Sequence, residues 1–523
     1  MKRVVSAEEM RWCDDTTINA YSVPGLLLME NAGRGVAEVI QQEFSPLESQ
    51  HILVICGKGN NGGDGFVVAR MLLNSCAQIS VLLVASPSEL KGDAKTNFKI
   101  LQTFAKKSTG QITIRRYSKR LLAAFPEPDI IVDAMFGTGF TGSVRKPFAD
   151  VIKWVNQQHA KIVAVDIPSG INGTTGVVEN CAIRANVTVT FGSLKSGLLC
   201  NKGRELVGSV RVVDIGIPRM VSEDKRLQTF LVEKSDVRRI LPKRSIHAHK
   251  YNVGKVLVLA GSKGLTGAAA LCCTSALRTG AGAVVLGTPE SVYPILARKL
   301  TETMAFPLPA TSAGTLSLAA LDTIRERLSW ADVLVIGPGL SLNSETQQLI
   351  FKILLEYHGK MLIDADGLNA LAVHGISKLH SLRAQFILTP HVGEFSRLSK
   401  ISSNNVEEHR INAARELAKR IGVTIVLKGV PTIIASKDGS AILNSTGNPG
   451  MATAGTGDVL SGIIAGLWAQ GMSDTEAAWA GVYLHGLSGD TIAKNIGERS
   501  LVANDIIEYL PSALQNVEVG GTT

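Results

Sequence analysis

Short apolar runs recur along the whole chain, each closed by glycine or by polar residues, and stretches of helical periodicity separate them. In the first half these runs fall at 51–56, 79–85, 130–133, 162–165, 187–191 and 210–214. In the second they fall at 255–260, 283–287, 333–336, 361–363, 386–388, 424–427 and 440–445. Brief apolar segments bounded by turn signals read as strands buried on both faces. Between them, Ser6 and Glu9 form a capping-box pattern that opens a helix to about Thr17. Further helices are predicted over 24–41, 66–73, 268–278 and 459–467. Strands alternating with helices predict an α/β chain of two domains, over 1–218 and 219–523, each built on a parallel sheet covered on both faces. The charged stretch 219–244 reads as the junction.

The polar residues collect where strands end, which in an open parallel sheet is where ligands bind. After 51–56 comes Gly57-Lys58-Gly59-Asn60-Asn61-Gly62-Gly63-Asp64-Gly65. Strand, glycine loop and helix together suit a nucleotide's phosphates, although this is neither Gly-x-Gly-x-x-Gly nor a P-loop. Its asparagines and aspartate offer oxygens to a hard cation or a sugar hydroxyl. Asp133 leads into Gly137-Thr138-Gly139-Phe140-Thr141-Gly142-Ser143, and another strand ends in Asp166-Ile167-Pro168-Ser169-Gly170. One such aspartate is often only a helix cap; several beside a glycine loop point to a site.

The second half places Gly337-Pro338-Gly339, Asp364, Thr389-Pro390-His391 and Lys428-Gly429-Val430-Pro431-Thr432 at strand ends. His391 suits a hydrogen bond to substrate, or else a cap. Lys428 suits a nucleotide phosphate, or else snorkels to solvent. Asp364 and Glu394 are candidates to hold hydrated magnesium. The longest loop, 447–458, ends in Gly455-Thr456-Gly457-Asp458 ahead of a small, apolar helix. Amides at such a helix start form a cup for a phosphoryl group. A carboxylate there repels phosphate, so Asp458 is expected to accept the proton of a hydroxyl being phosphorylated.

Composition narrows the class. Hydrophobic residues at 45% and charged residues at 19% describe a globular protein, and 51 glycines agree with many close backbone approaches. The net charge of +9 is dispersed, without an aromatic-basic pattern, which argues for anionic small molecules and against nucleic acid. Seven cysteines without regular spacing fit free thiols. The sequence shows no signal peptide and no apolar stretch of membrane-spanning length, so a cytoplasmic location is expected.

With these motifs in hand, the chain resembles the bifunctional NAD(P)H-hydrate repair enzymes over nearly its whole length. Asn60-Asn61-Gly62-Gly63-Asp64, the 137–142 loop and Asp166-Ile167-Pro168-Ser169-Gly170 are similar to NAD(P)HX epimerases. Gly337-Pro338-Gly339, Thr389-Pro390-His391, Lys428-Gly429 and the run 448–458 look like ADP-dependent dehydratases of the ribokinase-like superfamily. The resemblance implies an α/β chain with an N-terminal Rossmann-like parallel sheet over 1–218 and a C-terminal ribokinase-like α/β sandwich over 219–523, and it implies repair of hydrated NADHX and NADPHX. One half interconverts the R and S hydrates; the other dehydrates the S form with ADP, giving NADH or NADPH, AMP and phosphate.

By the same resemblance Asn60, Asn61, Gly62, Gly63, Asp64, Gly137, Thr138, Gly139, Phe140, Thr141, Gly142, Ser143 and Asp166 hold the hydrate in the epimerase, with Asp166 as acid/base. Asn61, Asp133 and Ser169 bind potassium. Gly339, His391 and Asp458 contact the hydrate in the dehydratase. Lys428, Gly429, Val430, Pro431, Thr432 and Gly457 contact ADP, whose phosphates carry magnesium. A homo-oligomer, commonly a tetramer, is implied as well. Two rivals remain: a small-molecule kinase fused to a nucleotide-binding domain, and a non-catalytic N-terminal scaffold.

Overall fold

The computed structural model describes residues 1–108 and 110–519. The chain forms two compact units, Arg3–Gln228 and Thr229–Thr523, the second of which also takes in Met1–Lys2.

In the Arg3–Gln228 unit seven strands form one parallel sheet. Their order is Ile112–Arg116, Gln78–Leu83, His51–Cys56, Ile130–Ala134, Lys161–Val165, Val187–Phe191 and Ser209–Val213. The central strands are buried throughout, as unbroken apolar runs require when helices cover both faces. The sequence order reverses between His51–Cys56 and Ile130–Ala134, so the loops after these two strands diverge and leave a crevice.

One element departs from expectation. The helix after the first of these strands spans Asn60–Met71, so Asn60 to Gly65 form its first turns and not a loop. Its glycines serve close packing. A Cβ on Gly62 would lie 2.1 Å from the Gly57 carbonyl oxygen, and one on Gly65 would lie 2.6 Å from Ala134 Cβ. The glycine run lets this helix sit directly on the sheet.

In the Thr229–Thr523 unit, seven parallel strands run in the order Met304–Leu308, Ala283–Pro289, Lys255–Leu259, Val333–Ile336, Lys360–Ile363, Gln385–Leu388 and Thr424–Leu427. Ile433–Ala435 and Ala441–Leu443 continue the sheet antiparallel, and Thr229–Leu231 pairs parallel with Ala441–Leu443. The helix Thr456–Ala469 is buried from Val459 onward and packs on Thr266–Arg278. Gly462 makes this approach possible: a Cβ there would meet Ser275 Oγ at 2.0 Å. Cys272 and Cys273 are free thiols in this apolar layer. No described helix is long and apolar enough to cross a membrane.

Candidate functional site

The crevice of the Arg3–Gln228 unit is a cavity of about 630 Å³. Its lining includes Asn60, Asn61, Asp64, Gly137, Thr138, Gly139, Phe140, Thr141 and Asp166. Gly62 and Gly63 lie behind this wall in the helix packing, where a Cβ on Gly63 would meet Met29 Sδ at 2.6 Å. Gly142 and Ser143 follow on the exposed loop. Phe136 stacks on Phe140 with ring centroids 4.8 Å apart and lies 4.6 Å from Phe148, giving the cavity an aromatic wall.

Asp166 leaves its strand with φ +64°, a left-handed conformation that aspartate tolerates better than most residues. Its Oδ1 accepts from Lys195 Nζ at 2.6 Å and from Thr190 Oγ1 at 3.2 Å. Lys195 is fully buried and also donates to the Phe191 carbonyl. Asp64 and Asp14 face the same cavity. Burial, then the charges of Asp166 and Asp14, push Asp64 well above the usual carboxylate range. Lys195 and Asp14 carry no motif in the sequence, and only the folded structure brings them here.

Asp133 is wholly buried below this floor. Ser169 donates to it twice, from its amide at 2.7 Å and its hydroxyl at 2.6 Å. The Phe136 amide donates to Ser169 Oγ at 2.9 Å, and Asn61 Nδ2 donates to the Phe136 carbonyl at 2.9 Å. Asn61 and Ser169 therefore both hold the Phe136 backbone, and Ser169 links it to Asp133. Burial pushes Asp133 up to about 6 against the Ser169 bonds, and no cation counts among its influences. Asp133 accepts from the amides of Met135 and Ser169 and from the Ser169 hydroxyl, and a buried carboxylate without a cationic partner is a setting that a cation would suit.

In the Thr229–Thr523 unit the strand ends converge on Lys428. Its Nζ lies 2.9 Å from Asp364 Oδ1 and 3.9 Å from Glu394 Oε2. A Cβ on Gly457 would stand 3.4 Å from that ammonium. Burial opposes the charge of Lys428, but Asp364 and Glu394 outweigh it and hold the ammonium above the usual lysine range. Gly455, with φ +92°, turns the chain into Thr456–Ala469, which places Asp458 in the first turn. Burial, followed by Asp364, pushes Asp458 up to about 7 against the pull of Lys428. A carboxyl at this value is poised to take up a proton near neutrality.

His391 caps the helix Val392–Ser399: its Nδ1 accepts from the amides of Gly393 and Glu394 at 3.0 and 3.3 Å. It also bridges in parallel to Lys428. Burial and the nearby Lys428 and Arg397 lower its pKa, and Nδ1, which accepts from two amides, carries no proton. Gly339 turns with φ +63° against Leu265, and its carbonyl accepts from Ser262.

Asp364 and Glu394 have an occupation other than the magnesium expected of them. Asp364 holds Lys428 and Ser461, while Glu394 accepts from the His391 amide at 2.8 Å. Among the described residues no cluster of three metal-ligating acids, histidines or cysteines occurs.

Two positioning residues carried no sequence signal. Arg410, itself buried, donates from Nη2 to the carbonyls of Lys428 and Pro431 at 3.1 and 3.2 Å, and so fixes the 428–432 loop. A Cβ on Gly429 would meet that guanidinium at 2.2 Å. His485 bonds the Thr456 carbonyl through Nε2 at 2.9 Å.

A family model described as NAD(P)H-hydrate dehydratase matches residues 256–512, and one described as YjeF-related protein N-terminus matches residues 25–197. The chain is 44% identical over 519 residues to the bifunctional NAD(P)H-hydrate repair enzyme Nnr of Moorella thermoacetica, covering 98% of this chain and 97% of the relative. The Escherichia coli enzyme of the same name is 35% identical, covering 94% and 90%. Among solved structures, the ADP/ATP-dependent NAD(P)H-hydrate dehydratase of Bacillus subtilis aligns with a TM-score of 0.48 at 32% identity, covering 55% of this chain and 99% of that one.

Proposed function

The chain belongs to the family of bifunctional NAD(P)H-hydrate repair enzymes, and from that premise we infer how its two sites divide the work. The protein epimerises the R and S hydrates of NADH and NADPH, and it dehydrates the S form with ADP.

The observation that carries the dehydratase reading is Asp458 at the mouth of the Gly455–Gly457 turn, with Lys428 beside it. A hydroxyl is a poor leaving group and a phosphate ester a good one. Asp458 takes the hydroxyl proton as that oxygen bonds the β-phosphorus of ADP and AMP departs. Amides at the helix start and the Lys428 ammonium balance the charge that develops on the phosphoryl group. The ring nitrogen's lone pair then expels phosphate from the adjacent carbon, and the departing phosphate takes the neighbouring C–H proton, which restores the ring double bond. Lys428, Gly429, Val430, Pro431, Thr432 and Gly457 contact ADP; Gly339, His391 and Asp458 contact the hydrate. His391 has only Nε2 to offer, since Nδ1 caps its helix. Magnesium would come with the nucleotide phosphates and offset their charge, while Asp364 and Glu394 hold Lys428, Ser461 and the His391 amide.

In the other unit the aromatic wall of Phe136, Phe140 and Phe148 suits a flat ring, and Asn60, Asp64 and Thr138 to Thr141 suit its polar substituents. Asp166, steadied by Lys195, is the acid/base group. Asn61, Asp133 and Ser169 would hold potassium, which would supply a counter-charge for the buried Asp133. Assembly as a homotetramer completes the proposal, on the strength of the family likeness.

The test is to incubate mixed hydrates with ADP or ATP and follow both epimers separately. The repair reading expects both epimers to be consumed, reduced-nicotinamide absorbance to recover and phosphate to appear in equal amount. A stable phosphorylated product without phosphate release would instead establish a kinase.

A further inference from the structure

Asp14, Asp64, Asp93 and Asp166 share the cavity of the Arg3–Gln228 unit with the cations Arg11, Lys58 and Lys195, and Asp14 has no role so far. Lys195 is committed to Asp166 and to the Phe191 carbonyl. Asp14 lines the same cavity from the helix Ala7–Asn19. Its Oδ1 is buried and accepts no hydrogen bond. A buried carboxyl oxygen without a donor is costly as an anion and tolerable as a neutral acid. Burial, with the charges of Asp166 and Asp15 set against the pull of Lys195, pushes Asp14 up to about 6. Arg11 from its own helix, Lys58, Asp93 and Asp64 also line this cavity, and burial raises both Asp64 and the adjacent Cys13. The two aspartates thus differ in kind: Asp166 is salt-bridged, while Asp14 lacks a hydrogen-bond donor at one oxygen and faces the same space.

We propose that Asp14 is the second proton-transfer residue of the epimerase site, acting as the acid while Asp166 acts as the base. The proposal rests on the reading of this cavity as the epimerase site. Hydrating an enamine puts the hydroxyl on the carbon bonded to nitrogen. Inverting that carbon then needs two protons moved at once. Asp14 gives its proton to the ring nitrogen as the C–N bond breaks, and Asp166 takes the hydroxyl proton as the C=O bond forms. After rotation about the adjacent C–C bond the C–N bond closes on the other face. The nitrogen returns its proton to Asp14, and Asp166 returns one to oxygen. Nothing is oxidised, and no water is consumed.

The experiment measures R/S exchange by the full chain without nucleotide, across pH 5 to 9. In wild type kcat/KM should fall roughly tenfold per pH unit above about 6, because Asp14 must be protonated. Asp14→Asn should lower kcat by about 10²-fold, leave KM within about twofold and abolish that limb, while Asp14→Glu restores part of the rate. A flat wild-type profile between pH 5 and 8, or an Asp14→Asn profile that keeps the limb, overturns the proposal. If Asp14→Asn does not fold, the wild-type profile and Asp14→Glu decide. Exchange lost in Asp166→Asn but intact in Asp14→Asn sinks only the role of Asp14. Exchange intact in both variants sinks the site assignment itself.

Discussion

Lys428 Nζ stands 2.9 Å from Asp364 Oδ1, and the other oxygen of Asp364 accepts the Ser461 hydroxyl at 2.7 Å. This pair sets the electrostatics of Asp458: after burial, Asp364 is the strongest influence raising its pKa, and Lys428 opposes it. Asp364→Asn removes the repulsion and releases the ammonium, so Asp458 should fall below about 7. The acidic limb of the dehydration rate should then move to lower pH. A limb that stays where wild type has it would uncouple the two carboxylates.

The wild-type limb has a definite sign. Asp458 must be deprotonated to act as base, so kcat/KM for dehydration rises with pH and levels off above about 7. Asp458→Asn should cost about 10²- to 10⁴-fold in kcat, with ADP affinity within a few-fold of wild type. Recovery of reduced nicotinamide reads the first and calorimetric titration with ADP reads the second.

Replacing potassium by tetramethylammonium should slow R/S exchange and leave dehydration of the S hydrate unchanged. The buried Asp133 would lose its counter-charge, and the Phe136 peptide tied to Ser169 and Asn61 would loosen. Asp133→Asn should make exchange insensitive to the swap. Equal rates in both salts for wild type would remove the cation from this site.

Gly62→Ala tests the glycine run as a packing device. Its Cβ would arrive 2.1 Å from the Gly57 carbonyl oxygen, so the helix must shift off the sheet. A loss of about 1–3 kcal/mol is expected, seen as a lower unfolding temperature of the Arg3–Gln228 unit. Exchange should fall with it, since the Asn61 side chain rides on the same turn. Unaltered melting would show that the helix has room to spare.

Much of this was legible in the sequence, for a physical reason. A parallel sheet covered on both faces demands short apolar strands, and its ligand loops must follow them, so Asp133, Asp166, Asp364, His391 and Lys428 could be placed at strand ends by pattern alone. The misreading of Asn60 to Gly65 as a loop came from the ambiguity of glycine, which serves turns and close packing alike. Lys195, Asp14 and Arg410 stayed invisible because a charged side chain is buried only when a distant partner or cavity receives it. The division of work between Asp364 and Lys428 was hidden likewise: both residues stood out, but their pairing spans 64 positions.

His485 adds a last consequence. Burial pushes its imidazole down to about 4, and its Nε2 bonds the Thr456 carbonyl within the phosphoryl-binding turn. A strut that neither gains nor loses charge across the physiological range keeps the cup aimed the same way during acid stress. When the medium sours, Asp458 fills with protons while the His485 support of the Thr456 carbonyl stays uncharged.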